Sequence, residues 1–326
     1  MKRLIAGLLL TPLLVITAAC ANDASSWRER RAAASESTTG SGTHERTLRF
    51  AGGTRSYVLH VPARHDPSKP AALLVAMHGG GGHAAFMADD ERFGLIGKAD
   101  QEGFVVVYPN GYSKFPRGRL ATWNAGGCCG DARDRDSDDV GFIRAVVADV
   151  QGRIKIDPQR IFATGMSNGG MMAYRLACEA ADMFRAVAAV AGTEAVRECR
   201  PSRPVPVLHI HARNDTHVLF NGGAGQDAFR DESKVMDFVS VPDTVARWVG
   251  RNRCDARPTR VLDKPGAYCE RYSGCRDNAA VQLCVTEQGG HSWPGAREVR
   301  RGKEAASRAL DANDAIWAFF RQVEER

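Results

Sequence analysis

Ser167 lies in a glycine-flanked segment whose pattern could present a nucleophile. Residues 165–169 read GMSNG and match G-x-S-x-G. They follow the apolar run RIFATG, which is typical of a strand, and they precede GGMMAYRLACEA, whose spacing predicts a helix. In a strand–turn–helix context this motif exposes a reactive serine, because glycines leave room in the turn. The alternative is a serine that only caps the helix, and the context favours the nucleophile.

A serine nucleophile needs a base, and His291 is the best-placed histidine. It lies in the glycine-rich stretch EQGGHSWPG, directly after the apolar run at 281–287. Such a loop can turn an imidazole over the end of a sheet. His44 lies near the polar amino-terminal region and His60 within a predicted strand, whereas His209 lies inside VPVLHIHA and is expected to pack in the core.

Asp215 follows the run VPVLHIHA and could orient His291. The chain order serine, aspartate, histidine is that of the α/β-hydrolases. A structural Asx turn is the alternative role for Asp215. Three aspartates lie farther past the strand end and are weaker candidates for the acid: Asp227, Asp231 and Asp237.

The developing oxyanion would need backbone donors on both sides of the serine. One is the N–H of Asn168, the residue after the nucleophile. The other is expected from the run HGGGG at 78–82, where Gly80 is the first choice and Gly81 the next. Glycines let the backbone approach a substrate closely, although four of them could also form only a flexible turn.

Apolar strands alternate with amphipathic helices, which predicts a mostly parallel sheet with helices on both faces. Sites in such sheets lie at the carboxyl ends of the strands, where the candidate residues fall. The predicted strands are 54–62, 71–77, 103–111, 160–165, 184–192, 205–212 and 281–287. The predicted helices are 138–154, 169–180 and a closing helix at 305–322.

The first 20 residues have the pattern of a secretory signal peptide, with a basic start and an uncharged run too short for a membrane span. Ala18, Ala19 and Cys20 resemble a bacterial lipobox, which predicts lipidation of Cys20; ordinary cleavage after Cys20 or Ala21 is the alternative. Residues 21–45 are polar and predict a flexible tether, and 46–326 predict one catalytic domain. The protein is therefore expected outside the cytoplasm.

Nine cysteines suit an oxidising compartment. If Cys20 carries lipid, eight remain for four disulfides, and the sequence does not decide among the 105 ways of pairing them. The eight are Cys128, Cys129, Cys178, Cys199, Cys254, Cys269, Cys275 and Cys284.

No metal or cofactor is predicted. The cysteines form no C-x-x-C pair, and the acidic run from Asp134 lacks the glycine and glutamate of a calcium loop. The net charge of +6 is scattered along the chain, without a basic stripe that alternates with aromatic residues. Nucleic acid is therefore not an expected partner. Contact with a membrane is expected only through the predicted lipid anchor.

Six motifs in order resemble the secreted esterases of the polyhydroxybutyrate depolymerase and feruloyl esterase superfamily, including bacterial lipoproteins of that type. They are HGGGG, WNAGGCCG (123–130), DDVGFI (138–143), GMSNGGMMAYRLACE (165–179), HARNDTHVLFNGG (211–223) and GGHSWPG (289–295). The resemblance runs from about residue 47 to 322. It implies an α/β-hydrolase fold with Ser167 as nucleophile, Asp215 as acid and His291 as base. The chain departs from the pattern at Ala212 and Leu219, where glycine and proline are commoner.

The resemblance also bears on the disulfides and on the substrate pocket. It implies a bond between Cys178 and Cys199, whereas Cys128 and Cys129 could bond to each other or to different partners. Four aromatic residues flank the motifs and could line an acyl pocket or pack in the core: Trp123, Phe86, Phe220 and Trp293.

The predicted function is that of a serine carboxylesterase acting through an acyl-enzyme on short-chain hydroxyalkanoate, hydroxycinnamate or acetyl esters. A peptidase or acyltransferase would use the same triad, and a non-catalytic, surface-tethered binding protein is a further alternative. Because the chain ends 35 residues after His291 and no polymer-binding module fits there, soluble or oligomeric esters are expected to react better than crystalline polyester.

Overall fold

The computed structural model describes residues 39–228, 233, 236–299 and 304–324. The predicted signal peptide, Cys20 and residues 21–38 of the predicted tether lie outside the described residues, as does Asp231. The segment from Thr39 onward forms one compact unit. Within the described residues, no helix has both the length and the apolar character needed to cross a membrane.

Ten strands form a single sheet in the order β1-β2-β4-β3-β5-β6-β7-β10-β9-β8. Neighbours pair in parallel from β4 through β3, β5, β6 and β7 to β10, and the outer pairs are antiparallel. The strands are β1 Gly42–Phe50, β2 Gly53–Val61, β3 Ala71–Met77, β4 Val105–Pro109, β5 Ile156–Met166, β6 Ala186–Val190, β7 Val207–Ala212, β8 Thr259–Lys264, β9 Ala267–Tyr272 and β10 Val281–Thr286.

Helices cover both faces of this sheet, as predicted. On one face Phe142, Tyr174 and Trp248 pack in a core with alternate residues of the central strands, and on the other face Trp317 and Phe320 do the same. The helices are α1 Ala84–Met87, α2 Asp90–Phe93, α3 Leu95–Glu102, α4 Gly130–Asp134, α5 Asp139–Gln151, α6 Asn168–Glu179, α7 Val241–Asn252 and α8 Ala312–Glu324.

Predicted and observed bounds also differ at the two ends of the described domain. Strand β1 begins at Gly42, inside the segment predicted as tether, because it pairs along its whole length with β2. The closing helix begins at Ala312 rather than at residue 305. The residues before it are drawn into hydrogen bonds with the loop after β10: Glu304 accepts the N–H of Gly289, and the Ser307 carbonyl accepts that of Gly295.

The two edges of the sheet are polar. At one edge β8 is mostly exposed and carries Arg260, Asp263 and Lys264. At the other edge, β1 alternates between exposed and partly buried residues and carries Glu45, Arg46 and Arg49. Neither strand shows the apolar run that marks the central strands, which is why the sequence did not predict them as strands.

Candidate active site

Ser167 occupies the sharp turn between the central strand β5 and helix α6. Its backbone has φ 56° and ψ −122°, a conformation that residues with a side chain seldom adopt. Two hydrogen bonds fix the turn: the Ser167 N–H donates to the Val190 carbonyl at 2.7 Å, and the Ser167 carbonyl accepts the N–H of Met171 at 2.9 Å. The turn places Ser167 in the lining of a cavity at the carboxyl ends of the strands.

The glycines beside Ser167 are needed for space. A Cβ on Gly165 would lie 2.5 Å from the backbone of Gly169 and 2.8 Å from the Met77 carbonyl oxygen. Across the turn, a Cβ on Gly192 would collide with the Ser167 carbonyl. The G-x-S-x-G pattern therefore reflects the close approach of α6 to β3 and of the loop after β6 to the serine.

Asp215 and His291 lie beside each other at the ends of β7 and β10. The Nδ1 of His291 donates to Oδ2 of Asp215 at 2.8 Å. With its proton on Nδ1, neutral His291 leaves Nε2 as an acceptor, and both His291 and Ser167 line the same cavity. This is the arrangement that the sequence predicts for a base oriented by an acid.

The Asp215 carboxylate is almost fully buried, with 3% of the residue exposed. Its Oδ1 accepts the N–H groups of His217 at 2.7 Å and Val218 at 3.0 Å. Burial alone would raise the pKa of Asp215, but the charge of His291 and the hydrogen bonds from His211 and His291 outweigh it and hold the pKa below its usual range. The Asp215 carboxylate is therefore ionised at neutral pH.

Hydrogen bonds that could not be predicted from the sequence hold the loop that carries His291. The side-chain oxygen of Asn214 accepts the N–H of Gly290 at 2.9 Å, and its amide group donates to Glu304. Ser292 Oγ donates to the Gly289 carbonyl at 2.6 Å. Asn214 adjoins Asp215, so one loop orients the acid and also anchors the segment that carries the base.

The ring of His217 stacks on that of His291, with the centroids 4.3 Å apart and the planes inclined by 12°. His217 also lines the cavity. This stacking restricts tilting of the His291 ring, while the hydrogen bond to Asp215 restricts its rotation. No sequence signal distinguished His217, because stacking depends on where the two loops meet.

The oxyanion candidates divide into two groups. Gly80 and Asn168 line the cavity beside Ser167, as expected for donors. Gly81 is a correction: its N–H donates to the Ala121 carbonyl at 2.8 Å, so this amide is already engaged, and Gly81 is not among the residues lining the cavity. Gly79, which the sequence analysis did not name, does line it.

The glycine loop is fixed from behind by His78 and Trp123. His78 Nδ1 donates to the Gly79 carbonyl at 2.8 Å, and its Nε2 accepts the N–H of Gly111 at 2.9 Å. Complete burial lowers the pKa of His78 to about 4, so the ring is neutral at physiological pH. The Trp123 indole N–H donates to the His78 carbonyl at 2.9 Å.

Trp123 is therefore a support for the loop rather than a wall of the pocket. It is fully buried, and reciprocal hydrogen bonds of 2.7 and 3.0 Å join its backbone to the Asn168 side chain. Phe220 also lies away from the cavity and packs edge-on to His211. For these two residues the structure favours the alternative of packing in the core, because proximity to a motif in sequence does not fix the face on which a side chain lies.

Phe86 and Trp293 do line the cavity, together with Phe93, in successive edge-to-face contacts. The cavity has a volume of about 260 Å³. Its further apolar lining includes Met166, Met171, Val218, Phe238, Ala296 and Val299. The charged residues Arg92, Asp227 and Glu298 also lie along its wall.

All eight cysteines of the described chain are in disulfides. The bond between Cys178 and Cys199, implied by the resemblance, is present. Cys128 and Cys129 bond to each other, which decides between the two alternatives that the sequence left open. The remaining pairs are Cys254 with Cys275 and Cys269 with Cys284.

Two clusters of metal-ligand side chains occur among the described residues. One combines Glu194 with Cys178 and Cys199, whose sulfurs are bonded to each other and offer no thiolate. The other is Asp215, His217 and His291. The two imidazole rings of that second cluster are nearly parallel, so their in-plane lone pairs do not converge on one point, and His291 Nδ1 is committed to Asp215. The absence of a metal stays a prediction.

Comparison with known proteins agrees with this geometry. Residues 55–226 match the family described as Esterase PHB depolymerase. The chain is 33% identical over 284 residues to the putative esterase NocK of Nocardia uniformis subsp. tsuyamanensis, covering 82% of this chain and 77% of that protein. It is 30% identical over 244 residues to feruloyl esterase B of Piromyces equi, covering 73% of this chain but only 42% of the relative.

Among solved structures, an acetyl xylan esterase from Aspergillus awamori superposes with a TM-score of 0.54 at 15% identity, covering 76% of this chain and 94% of that one. At that identity the likeness concerns the fold, which is that of the α/β-hydrolases. With more than half of its length matched by the family model, the chain belongs to the Esterase PHB depolymerase family.

Proposed function

We propose that this protein is a serine carboxylesterase in which Ser167, His291 and Asp215 form the catalytic triad. The observation that carries the proposal is the 2.8 Å bond between His291 Nδ1 and Asp215, at the edge of a cavity that Ser167 also lines. Membership of an esterase family supports it independently.

In this mechanism Ser167 Oγ attacks the ester carbonyl carbon while His291 Nε2 takes the hydroxyl proton. The backbone N–H groups of Gly80 and Asn168 stabilise the oxyanion. When the C–O bond to the alcohol breaks, His291 returns the proton to the leaving oxygen. Water then attacks the acyl-enzyme with His291 again as base, which releases the acid and restores the Ser167 hydroxyl.

The cavity favours a flat, apolar acyl group. Phe86, Phe93 and Trp293 supply edge-to-face aromatic walls, and the volume of about 260 Å³ suits an acyl group of the size of a hydroxycinnamate or a short hydroxyalkanoate. The relative named feruloyl esterase B supports this substrate class. A peptidase or acyltransferase would form the same acyl-enzyme. A peptidase would release an amine instead of an alcohol, and an acyltransferase would pass the acyl group to an acceptor other than water.

The proposed location is the cell envelope or the exterior. Four disulfides within the described chain support an oxidising compartment. The signal peptide and the lipid on Cys20 rest on sequence pattern. The intact mass of the mature protein tests both: we expect a chain that begins at Cys20 with the added mass of acyl chains, and an unmodified chain would contradict the anchor.

Ser167→Ala tests the activity. We expect it to lower esterase activity by about 10⁴-fold or more while the protein stays folded, because the nucleophile is removed. Rates are measured on methyl ferulate, a hydroxybutyrate oligomer, an acetylated sugar, a peptide, and an ester with an added acyl acceptor. The exposed Ser68→Ala is the matched control. Activity of Ser167→Ala within tenfold of native, or turnover of the peptide alone, would overturn the proposal.

A further inference from the structure

Behind the Asp215 carboxylate lies a chain of polar side chains that is entirely buried. Tyr174 on α6 and His209 on β7 are 0% exposed, and His211 is 1% exposed. The Tyr174 hydroxyl lies 2.8 Å from His209 Nδ1, and His209 Nε2 lies 3.0 Å from His211 Nδ1. His211 Nε2 lies 2.8 Å from the Val218 carbonyl and 3.3 Å from Asp215 Oδ2.

The direction of this chain follows from its two ends. The Val218 carbonyl can only accept, so His211 Nε2 carries a proton and its Nδ1, in the neutral ring, accepts from His209 Nε2–H. His209 Nδ1 must then accept, and the Tyr174 hydroxyl donates to it. In the opposite direction the Tyr174 proton would have no acceptor among the described residues. Every donor in this series therefore points from Tyr174 toward the turn that carries Asp215 and Val218.

Burial keeps the His209 imidazole and the Tyr174 hydroxyl neutral. Burial lowers the pKa of His209 well below its ordinary value, and the neighbouring His211 lowers it further while Asp215 opposes the shift. Burial raises the pKa of Tyr174, and Glu194 raises it more than Arg251 lowers it. Trp248 on α7 stacks on Tyr174 and adds no charge. At the other end, Asp215 also faces His291 and His217, which lie on the loop after β10 and on its own loop.

The hydrogen-bonded series Tyr174–His209–His211 also connects two elements whose relative position matters for the reaction. Tyr174 lies on α6, the helix that begins directly after Ser167, whereas His211 holds the turn that carries Asp215 through both Val218 and the carboxylate. The packing of Tyr174 against His209, with ring centroids 5.9 Å apart, ties the two together. A substitution at one of these three residues would therefore change the orientation of Asp215 without changing the lining of the cavity, since none of them lines it.

We propose that Tyr174, His209 and His211 are positioning residues that set the orientation and charge of Asp215 through a one-way hydrogen-bond chain. This inference rests on the proposed esterase function. The His211 Nε2–H, which donates to the Val218 carbonyl, also lies 3.3 Å from Oδ2 and so places a second N–H group beside that of His291. That donor keeps part of the carboxylate charge from His291 in the free enzyme and holds Oδ2 in place when His291 becomes an imidazolium.

Tyr174→Phe is the mildest test, since it removes one oxygen and leaves the ring. We expect kcat to fall by about 3- to 10-fold with KM unchanged within twofold, because His209 Nδ1 loses the hydrogen bond that it accepts and the ring is held less firmly. Tyr108→Phe is the matched control: Tyr108 on β4 is also 0% exposed, and its hydroxyl has no hydrogen-bond partner in the described part of the chain. The control should retain kcat within twofold.

His211→Leu and His211→Gln separate positioning from packing. We expect the leucine variant to lose about 100-fold in kcat and the glutamine variant, whose amide can donate at the same place, to regain most of it. In the leucine variant the acidic limb of the kcat/KM profile should move to higher pH by about half a unit or more. The reason is that a carboxylate without its second donor stabilises protonated His291 more strongly.

The outcomes distinguish this inference from the proposed function. If Ser167→Ala keeps its activity, the esterase proposal fails. If Ser167→Ala is inactive but Tyr174→Phe matches Tyr108→Phe in kcat, the chain has no positioning role. Equal losses in His211→Leu and His211→Gln, with an unmoved pH profile, would also overturn the inference, since they would show a purely structural requirement for histidine. His209→Ala is avoided as a test because it would open a cavity in the core.

Discussion

At the scale of single residues, the Asp215 carboxylate is the group on which most interactions converge. Backbone N–H groups bind Oδ1, and two imidazoles face Oδ2. All of these partners are donors, which suits only an ionised carboxylate. This position therefore requires the negative charge of an aspartate as well as its size.

Asp215→Asn should retain the fold and lose about 10⁴-fold in kcat/KM. The amide keeps the size of the carboxylate but places an N–H group against donors, and it no longer stabilises the imidazolium form of His291. Steady-state rates on methyl ferulate and a thermal melt measure the two effects. Asp237→Asn is the control, because Asp237 is exposed and was the weaker candidate for the same role. Equal losses in the two variants would contradict the assignment of Asp215.

His78 predicts a dependence of stability on pH. Its pKa is about 4 in the folded protein, owing to burial, and about 6.5 in an unfolded chain. The unfolded state therefore binds a proton that the folded state resists, so stability is full above about pH 6.5 and falls as the pH drops toward 4. We expect the free energy of unfolding to decrease by about 2–3 kcal/mol between pH 7.5 and 4.5 from His78 alone.

Urea denaturation at several pH values checks this, with His78→Asn for comparison. The variant should be less stable at neutral pH and show a shallower loss toward acid, because asparagine does not titrate. His209, whose pKa burial also lowers, contributes in the same direction in both proteins. An identical slope in the two proteins would exclude His78 as a source of the acid sensitivity.

The residues that the sequence predicted well are those whose roles are imposed by local constraints. Ser167 could be found because its glycines are required by close backbone contacts within a short stretch. Gly81 was wrong because its amide bonds to Ala121, 40 residues later, and no local pattern records that partner. Trp123 was left between pocket and core for the same reason, since the acceptor of its indole N–H is the distant backbone of His78.

At the scale of elements, the buried strands could be predicted closely because both of their faces are covered. The predicted strand at 71–77 coincides with β3, and the one at 205–212 extends only two residues before β7. The amphipathic spacing of 138–154 likewise identified α5, and Asp138 caps it by accepting the Gly141 N–H at 2.8 Å. The edge strands, by contrast, have mixed polarity and depend on their neighbours for their structure.

The Cys178–Cys199 bond joins the end of α6 to the segment that follows β6, across 21 residues of sequence. Replacing both cysteines with alanine should lower the free energy of unfolding by about 3 kcal/mol, because the unfolded chain regains the freedom of that loop. The expected shift in Tm is a decrease of roughly 5–10 °C, measured by calorimetry under non-reducing conditions. A melting temperature within 2 °C of native would contradict the stabilising role.

At the scale of the whole molecule, Ser167 lies in a recess rather than on an open face. Its cavity has aromatic and aliphatic walls and a volume of about 260 Å³, which admits one acyl group at a time. A chain packed in a crystalline granule would have to leave its lattice to enter. We therefore expect soluble hydroxybutyrate oligomers and methyl ferulate to react at least about tenfold faster than granular polymer at equal ester concentration.

Release of soluble acid from each substrate measures these rates, and sedimentation with granules measures binding. Amorphous polymer, whose chains are mobile, is the control that separates access from chemistry. Saturable binding to crystalline granules followed by rapid degradation would contradict the prediction. It would require a flat contact surface in addition to the recess.

The charged outer strands have a consequence for how concentrated this protein can become. Among the described residues β1 and β8 are the outermost strands of the sheet, and the outer backbone groups of such strands invite pairing between molecules and then fibril-like aggregation. Arg260, Asp263 and Lys264 on β8, and Glu45, Arg46 and Arg49 on β1, oppose that association by keeping water and charge at both borders. The charged residues that make these two strands unlike the apolar central strands thus protect the folded protein from self-association at high concentration.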